Sequence, residues 1–172
     1  MKGIENKTLV YIIDDNPLFQ RVMERKFQTL SPFRVMTFSS GEDFIEYIKQ
    51  NRLPKSILQI AICDYNFLNK IGKQMNGIEI IKEIRKINPN IKIILTSQDD
   101  DKDIINKALS IDKTNISFIL KNEQNFELFH DQVRLLVSEH TVKILKRRKI
   151  ISQIVFFSTL LIGIILALVL KP

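Results

Sequence analysis

Residues able to do chemistry stand at the ends of apolar runs in this chain. Asp14 and Asp15 follow 8–13 (TLVYII), Asp64 closes 57–64 (ILQIAICD), Thr96 follows 91–95 and Lys121 follows 116–120. A short apolar run ending abruptly in a polar residue reads as a strand buried on both faces whose carboxyl end opens onto a polar site. If the strands ending at Asp14 and Asp64 lie side by side in a parallel sheet, three carboxylates meet. Acids so placed repel, and one holds a proton near neutrality unless a cation sits among them. Lys121 and Thr96 would bring an ammonium and a hydroxyl to the same edge.

The segments between these runs read as helices. Asn16 and Pro17 supply an N-cap and a proline at the first helical position, opening a helix through about residue 29 with Leu18, Val22, Phe27 and Leu30 toward the core. Ser31 and Pro32 break it, and 33–38 reads as a short strand. Ser40 caps a helix over 41–51 with Phe44, Ile45 and Ile48 at helical spacing. Residues 77–87 place Ile78, Ile81, Ile84 and Ile87 on one side, and acids at 99–103 lead a helix through about residue 111. Beyond Asn125, no Gly or Pro occurs before Gly163, so one long helix can form. Strictly alternating strands and helices with uninterrupted apolar strands specify a parallel sheet covered on both faces.

Composition narrows the function. Of 26 Lys and Arg, six lie from Lys143 onward, where no acid occurs, leaving 20 against all 19 acids in the rest. The globular part is near neutral, which argues against a nucleic-acid partner. Cys63, the single cysteine, lies in an apolar strand and reads as a buried thiol. The polar residues 1–7 lack the apolar core of a secretory leader. His130 and His140 read as surface histidines.

Five motifs, each weak singly, are specific in their order and spacing: IIDDNP at 12–17, CDYNF at 63–67, MNGIE at 75–79, IILTS at 93–97 and FILK at 118–121. Over about residues 8–140 the chain resembles the response-regulator receiver domain of bacterial two-component signalling, the CheY-like family. The resemblance implies a doubly wound five-stranded parallel α/β sheet of order 2-1-3-4-5, with Asp64 accepting a phosphoryl group from a histidine kinase or phosphotransfer protein. It implies a Mg²⁺ site made by Asp14, Asp15, Asp64 and the backbone carbonyl of Asn66, consistent with the oxygen ligands and retained water this ion prefers. A carboxylate can attack phosphorus, and Lys121 and Thr96 would stabilise the charge on the transferred oxygens. Phe118 would turn inward with Thr96, altering a face read by a downstream protein. Such a chain is a phosphoacceptor, with no chemistry beyond its own Mg²⁺-dependent phosphorylation and dephosphorylation. The alternative is a receiver-fold docking protein that works without phosphorylation.

Two departures accompany the resemblance. Gly77 lies thirteen residues after Asp64, so 66–76 holds an insertion carrying Lys70 and Lys73, and Asn122 stands where the family usually has proline.

The remaining residues suggest an appendage. The 21 residues 150–170 carry no charge and directly follow Lys143, Lys146, Arg147, Arg148 and Lys149. As a helix this run would be about 31 Å long, near the ~30 Å of a hydrocarbon core. The expectation is a receiver at 1–142, a basic juxtamembrane segment at 143–149 and a transmembrane helix at 150–170. The basic cluster would face anionic lipid and keep the receiver in the cytoplasm, giving a single-pass inner-membrane protein. Thr159, Gly163 and Ala167 would offer a small-residue face for a homodimer.

Overall fold

A computed structural model describes residues 8–30, 33–67, 75–122 and 125–169. Five strands alternate with five helices: β1 (Thr8–Ile13), α1 (Pro17–Leu30), β2 (Arg34–Phe38), α2 (Gly41–Gln50), β3 (Leu58–Asp64), α3 (Gly77–Ile87), β4 (Lys92–Ser97), α4 (Lys102–Asp112), β5 (Ile116–Leu120) and α5 (Phe126–Val169). All neighbouring strands are parallel, in the order β2-β1-β3-β4-β5. This is the α/β architecture expected from the alternation of strands and helices, in the strand order that the family resemblance implies.

The pleat sends alternate residues to opposite faces, and both faces are covered. Tyr11, Ile13, Ala61 and Cys63 pack with Phe44, Ile48, Ile80 and Ile84 of α2 and α3. Val10, Ile12, Ile60 and Ile62 pack on the other side with Phe19, Met23 and Phe27 of α1 and Phe129 and Val133 of α5. Every residue of β1 and β3 is buried, which is why these strands read as unbroken apolar runs. Cys63 is a buried free thiol, as read from its surroundings.

Local signals set the helix starts. The Ser40 side chain accepts from the Asp43 amide at the start of α2. Asn76 and Glu79 form a reciprocal capping box at α3, satisfying two amides that the helix cannot. At α1 the buried stripe is Phe19, Met23 and Phe27, whereas Leu18 is 69% exposed. The sequence reading placed Phe27 inward as found, but Leu18 and Val22 one position out of phase, because both Leu18/Val22 and Phe19/Met23 keep helical spacing. His130 also corrects an expectation: it is buried, with its ring 6.3 Å from that of Phe27. The side chain of Leu30, and Lys70 and Lys73 of the inserted loop, lie outside the described residues.

The chain divides into two compact units, Met1–Val137 and Ser138–Pro172. In the second unit the basic residues of 143–149 are exposed, as are the apolar side chains described between Ile150 and Ile165. Among the described residues no helix is long and apolar enough to cross a membrane. This finding overturns the transmembrane helix expected at 150–170, and with it the single-pass inner-membrane placement and the lipid partner drawn from it. Leu170 lies outside the described residues, as does the side chain of Ala167 in the small-residue face.

Gly77 links the fold to the residues around Asp64. A Cβ there would sit 2.8 Å from the Asp64 carbonyl oxygen and from Leu95 Cδ1, and 2.9 Å from Tyr65 Cα. Two of these atoms are backbone, so the first turn of α3 would have to move. Gly77→Ala is expected to lower stability by about 1–3 kcal/mol in urea unfolding, the range of core overpacking.

Candidate functional site

The sheet order brings the polar strand ends together. Register pairs Ile13 with Cys63 and Asp64 with Thr96, so Asp14 follows β1 beside the end of β3, and Thr96 lies across from Asp64. Lys121 follows β5, its amide donating to the Ser97 carbonyl at 2.7 Å. From there its side chain crosses to the acids. The Lys121 ammonium donates to Asp14 Oδ2 at 2.5 Å and to Asp64 Oδ2 at 2.9 Å. The Thr96 hydroxyl, fully buried, lies 3.5 Å from Asp64 Oδ1, which also accepts from the Tyr65 amide at 3.0 Å.

Asp14, Asp15 and Asp64 each offer a carboxylate oxygen within 4.8 Å of the others. Asp14 and Asp64 are buried and Asp15 is half-buried. Burial and the charge of Asp64 push the Asp14 carboxyl up to about 6, against the pull of Lys121. Burial likewise raises Asp64, although the Lys121 charge and hydrogen bond oppose it. Burial disfavours the Lys121 ammonium, but its bonds to both acids win and hold it above the ordinary lysine value. Lys121 bonds to two of these three acids. A hard divalent cation that takes oxygen ligands fits the three clustered carboxylates.

Of the other residues proposed from the sequence, Asn66 is exposed two positions beyond Asp64, in the loop leaving β3. Phe118 is half-buried on β5, opposite Leu95 in register and packed against the α2–α3–α4 side of the core. Sequence reading missed two contributors. The Phe19 ring centroid lies 4.5 Å from the Lys121 ammonium, and the Gln20 amide donates to the carbonyls of Asp14 and Phe38, the latter at 2.9 Å. Phe19 was detectable as the start of the Phe19, Met23, Phe27 stripe. Gln20 carried no local signal, since its partners lie at the ends of two different strands.

Residues 10–132 match the response regulator receiver domain. The chain belongs to the response regulator receiver family. It is thus a receiver of phosphorelay signalling. A curated relative, the transcriptional regulatory protein DegU of Brevibacillus brevis, is 26% identical over 133 residues. The match takes in 77% of this chain and 51% of DegU, so the receiver spans about half the length of that relative. Solved structures agree on the fold. A CheY-like receiver domain protein from Methanospirillum hungatei superposes with a TM-score of 0.64 at 14% identity, covering 79% of this chain and 98% of that one. TrrA of Thermotoga maritima, solved in complex with Mg(2+)-BeF, gives 0.59 at 19% identity, covering 75% and 98%. A LuxR-family DNA-binding response regulator from Staphylococcus aureus gives 0.61 at 21%, covering 76% and 98%.

The raised Asp14 carboxyl makes the stability of the receiver pH-dependent. With a folded value near 6 and an unfolded value near 3.9, folded Asp14 keeps a proton that the unfolded chain has released. Its contribution is therefore most favourable below about pH 4 and falls as pH rises toward about 6, by at most ~3 kcal/mol. Asp64 shifts in the same direction. Urea unfolding across this window without divalent cations should show Asp14→Asn losing less stability than wild type. Parallel pH profiles would contradict the assignment.

Proposed function

We propose that the receiver accepts a phosphoryl group on Asp64 from a histidine kinase or phosphotransfer protein, and signals through contacts with a partner protein. The observation that carries this reading is the Lys121 ammonium bonded to both Asp14 and Asp64, with Thr96 on the far side of Asp64. The resemblance of the five motifs and the family match support the same assignment.

In this reading Asp14, Asp15 and Asp64, with the Asn66 carbonyl, would hold Mg²⁺, which when bound would supply positive charge for the phosphoryl oxygens. A carboxylate oxygen of Asp64 bonds to phosphorus as the phosphorus–nitrogen bond of the donor breaks, and that bond's electron pair stays on the donor imidazole. An aspartate is a competent nucleophile here because the transition state demands little beyond alignment and charge stabilisation. Lys121 moves its hydrogen bonds onto a phosphoryl oxygen, and Thr96 donates its hydroxyl to another. Hydrolysis reverses the modification when water attacks phosphorus, regenerating the carboxylate and releasing phosphate. The receiver is therefore a phosphoacceptor whose chemistry is confined to its own aspartate. Rearrangement of Thr96 with Phe118 alters the surface near β5 that the partner reads.

Incubation with acetyl phosphate and Mg²⁺, followed by intact-mass measurement, tests this. Wild type should gain one phosphate and Asp64→Asn none, with Lys121→Ala slowed about tenfold or more, the scale of losing one preorganised charge. Absence of an Asp64-dependent gain would reject the reading. A partner set in pull-downs indifferent to Asp64→Asn would then favour a docking protein working without phosphorylation.

A further inference from the structure

Lys121 needs more than its two acids to stay in place. A lysine side chain is long and flexible, and holding its ammonium in one position depends on the backbone from which it reaches. That backbone lies where β5 ends, on the edge of the sheet, with a neighbouring strand on one side only. The Lys121 amide takes the last bond toward β4, at Ser97. Among the described residues, no strand holds it on the opposite side.

Two asparagine side chains act there. The Asn125 amide nitrogen donates to the Leu120 carbonyl at 2.8 Å, immediately before the lysine. Its backbone amide donates to Asn122 Oδ1 at 2.8 Å and to the Asn122 carbonyl at 3.2 Å, immediately after it. The carbonyl just before Lys121 and the residue just after it are thus both tied to Asn125, at the threshold of α5. That threshold is itself anchored beside the lysine, because the next residue, Phe126, has its ring centroid 5.7 Å from that of Phe19, whose ring lies against the ammonium. Asn122 is the position at which this chain departs from the proline suggested by its motif, and here its side chain closes the turn by hydrogen bonding.

We propose that Asn125, braced by Asn122, is a positioning residue for Lys121: its side-chain bond to the Leu120 carbonyl sets where the ammonium meets Asp14 and Asp64. The inference rests on the phosphoacceptor reading for its effect on rate, but not for its effect on the lysine. Removing the bond lets the end of β5 move and misplaces the ammonium, while the three acids, carried by other strands, keep their arrangement.

The test uses the full chain with Asn125→Ala, Asn125→Asp, Lys121→Ala and the Lys121→Ala/Asn125→Ala double variant. Asn125→Asp keeps an acceptor at the helix start but puts an oxygen in place of the amide that faces Leu120. The first readout is acetylation of Lys121 by acetic anhydride, mapped by peptide mass. It should rise severalfold in Asn125→Ala and Asn125→Asp, with other lysines unchanged. The second is the rate of Asp64 labelling by acetyl phosphate. It should fall about tenfold in both Asn125 variants, the scale of misplacing one catalytic group, with Mg²⁺ affinity by calorimetry held within about twofold. The double variant should label no more slowly than Lys121→Ala, since Asn125 acts only through the lysine. Unchanged Lys121 acetylation in Asn125→Ala would overturn the proposal, as would wild-type behaviour of Asn125→Asp or an additive double variant. Failure of wild type to label on Asp64 would reject the functional reading alone, and the acetylation result would still decide the role of Asn125.

Discussion

One contact organises this molecule: a single ammonium placed between two buried carboxylates. Asp14 and Asp64 are out of water at the ends of adjacent strands. Burying either charge without a partner would be costly, and burying both together costs more through their repulsion. Lys121 answers both at once, from the end of β5, two strands from β3 and three from β1. Asp15 adds a third carboxylate beside the pair. Burial, with the charge of Asp64, raises Asp14 toward neutrality, and the three clustered carboxylates suit the pocket to a divalent cation.

The surrounding fold serves that contact. A parallel sheet sends all its carboxyl ends to one edge, so polar residues that terminate different strands converge without any local relationship between them. The strands can be almost wholly apolar because α1 and α5 cover one face, and α2, α3 and α4 the other. Phe19 shows how the core and the site are joined. Its ring packs with Phe126 and Phe129 and also presents a face to the Lys121 ammonium. A cation against an aromatic face is stabilised without offering it a competing acceptor, leaving its donors to the acids.

The helix starts matter for a similar reason. The Asn76–Glu79 capping box opens α3, and Gly77 then passes so close to the Asp64 carbonyl that no side chain fits. Glu42, at the start of α2, accepts from the Met75 amide at 2.8 Å and joins α2 to this turn. Asn125 does comparable work at the start of α5. Loops after strands thus hold the site by side-chain amides and carboxylates where the ladder of the sheet has ended.

Much of this was legible in the sequence, and the reason is periodicity. Continuous apolar runs marked the strands, and strand–helix alternation marked a parallel sheet, because burial on two faces leaves no room for polar residues. Asp14, Asp15, Asp64, Thr96 and Lys121 stood out because each interrupts or ends such a run. What the sequence left open depended on three dimensions. Helical spacing allowed two phases for α1, and only packing against β1 and α5 chose Phe19 over Leu18. An uncharged tail suggested a membrane span by length alone, yet among the described residues no helix meets that requirement. The bonds of Gln20 and Asn125 to main-chain carbonyls have no signature, since an amide side chain says nothing of its partner. Sequence by itself determined which residues lie at strand ends, through the contrast of apolar and polar side chains; tertiary structure decided which of them touch, because strand order and the reach of Lys121 are properties of the assembled sheet.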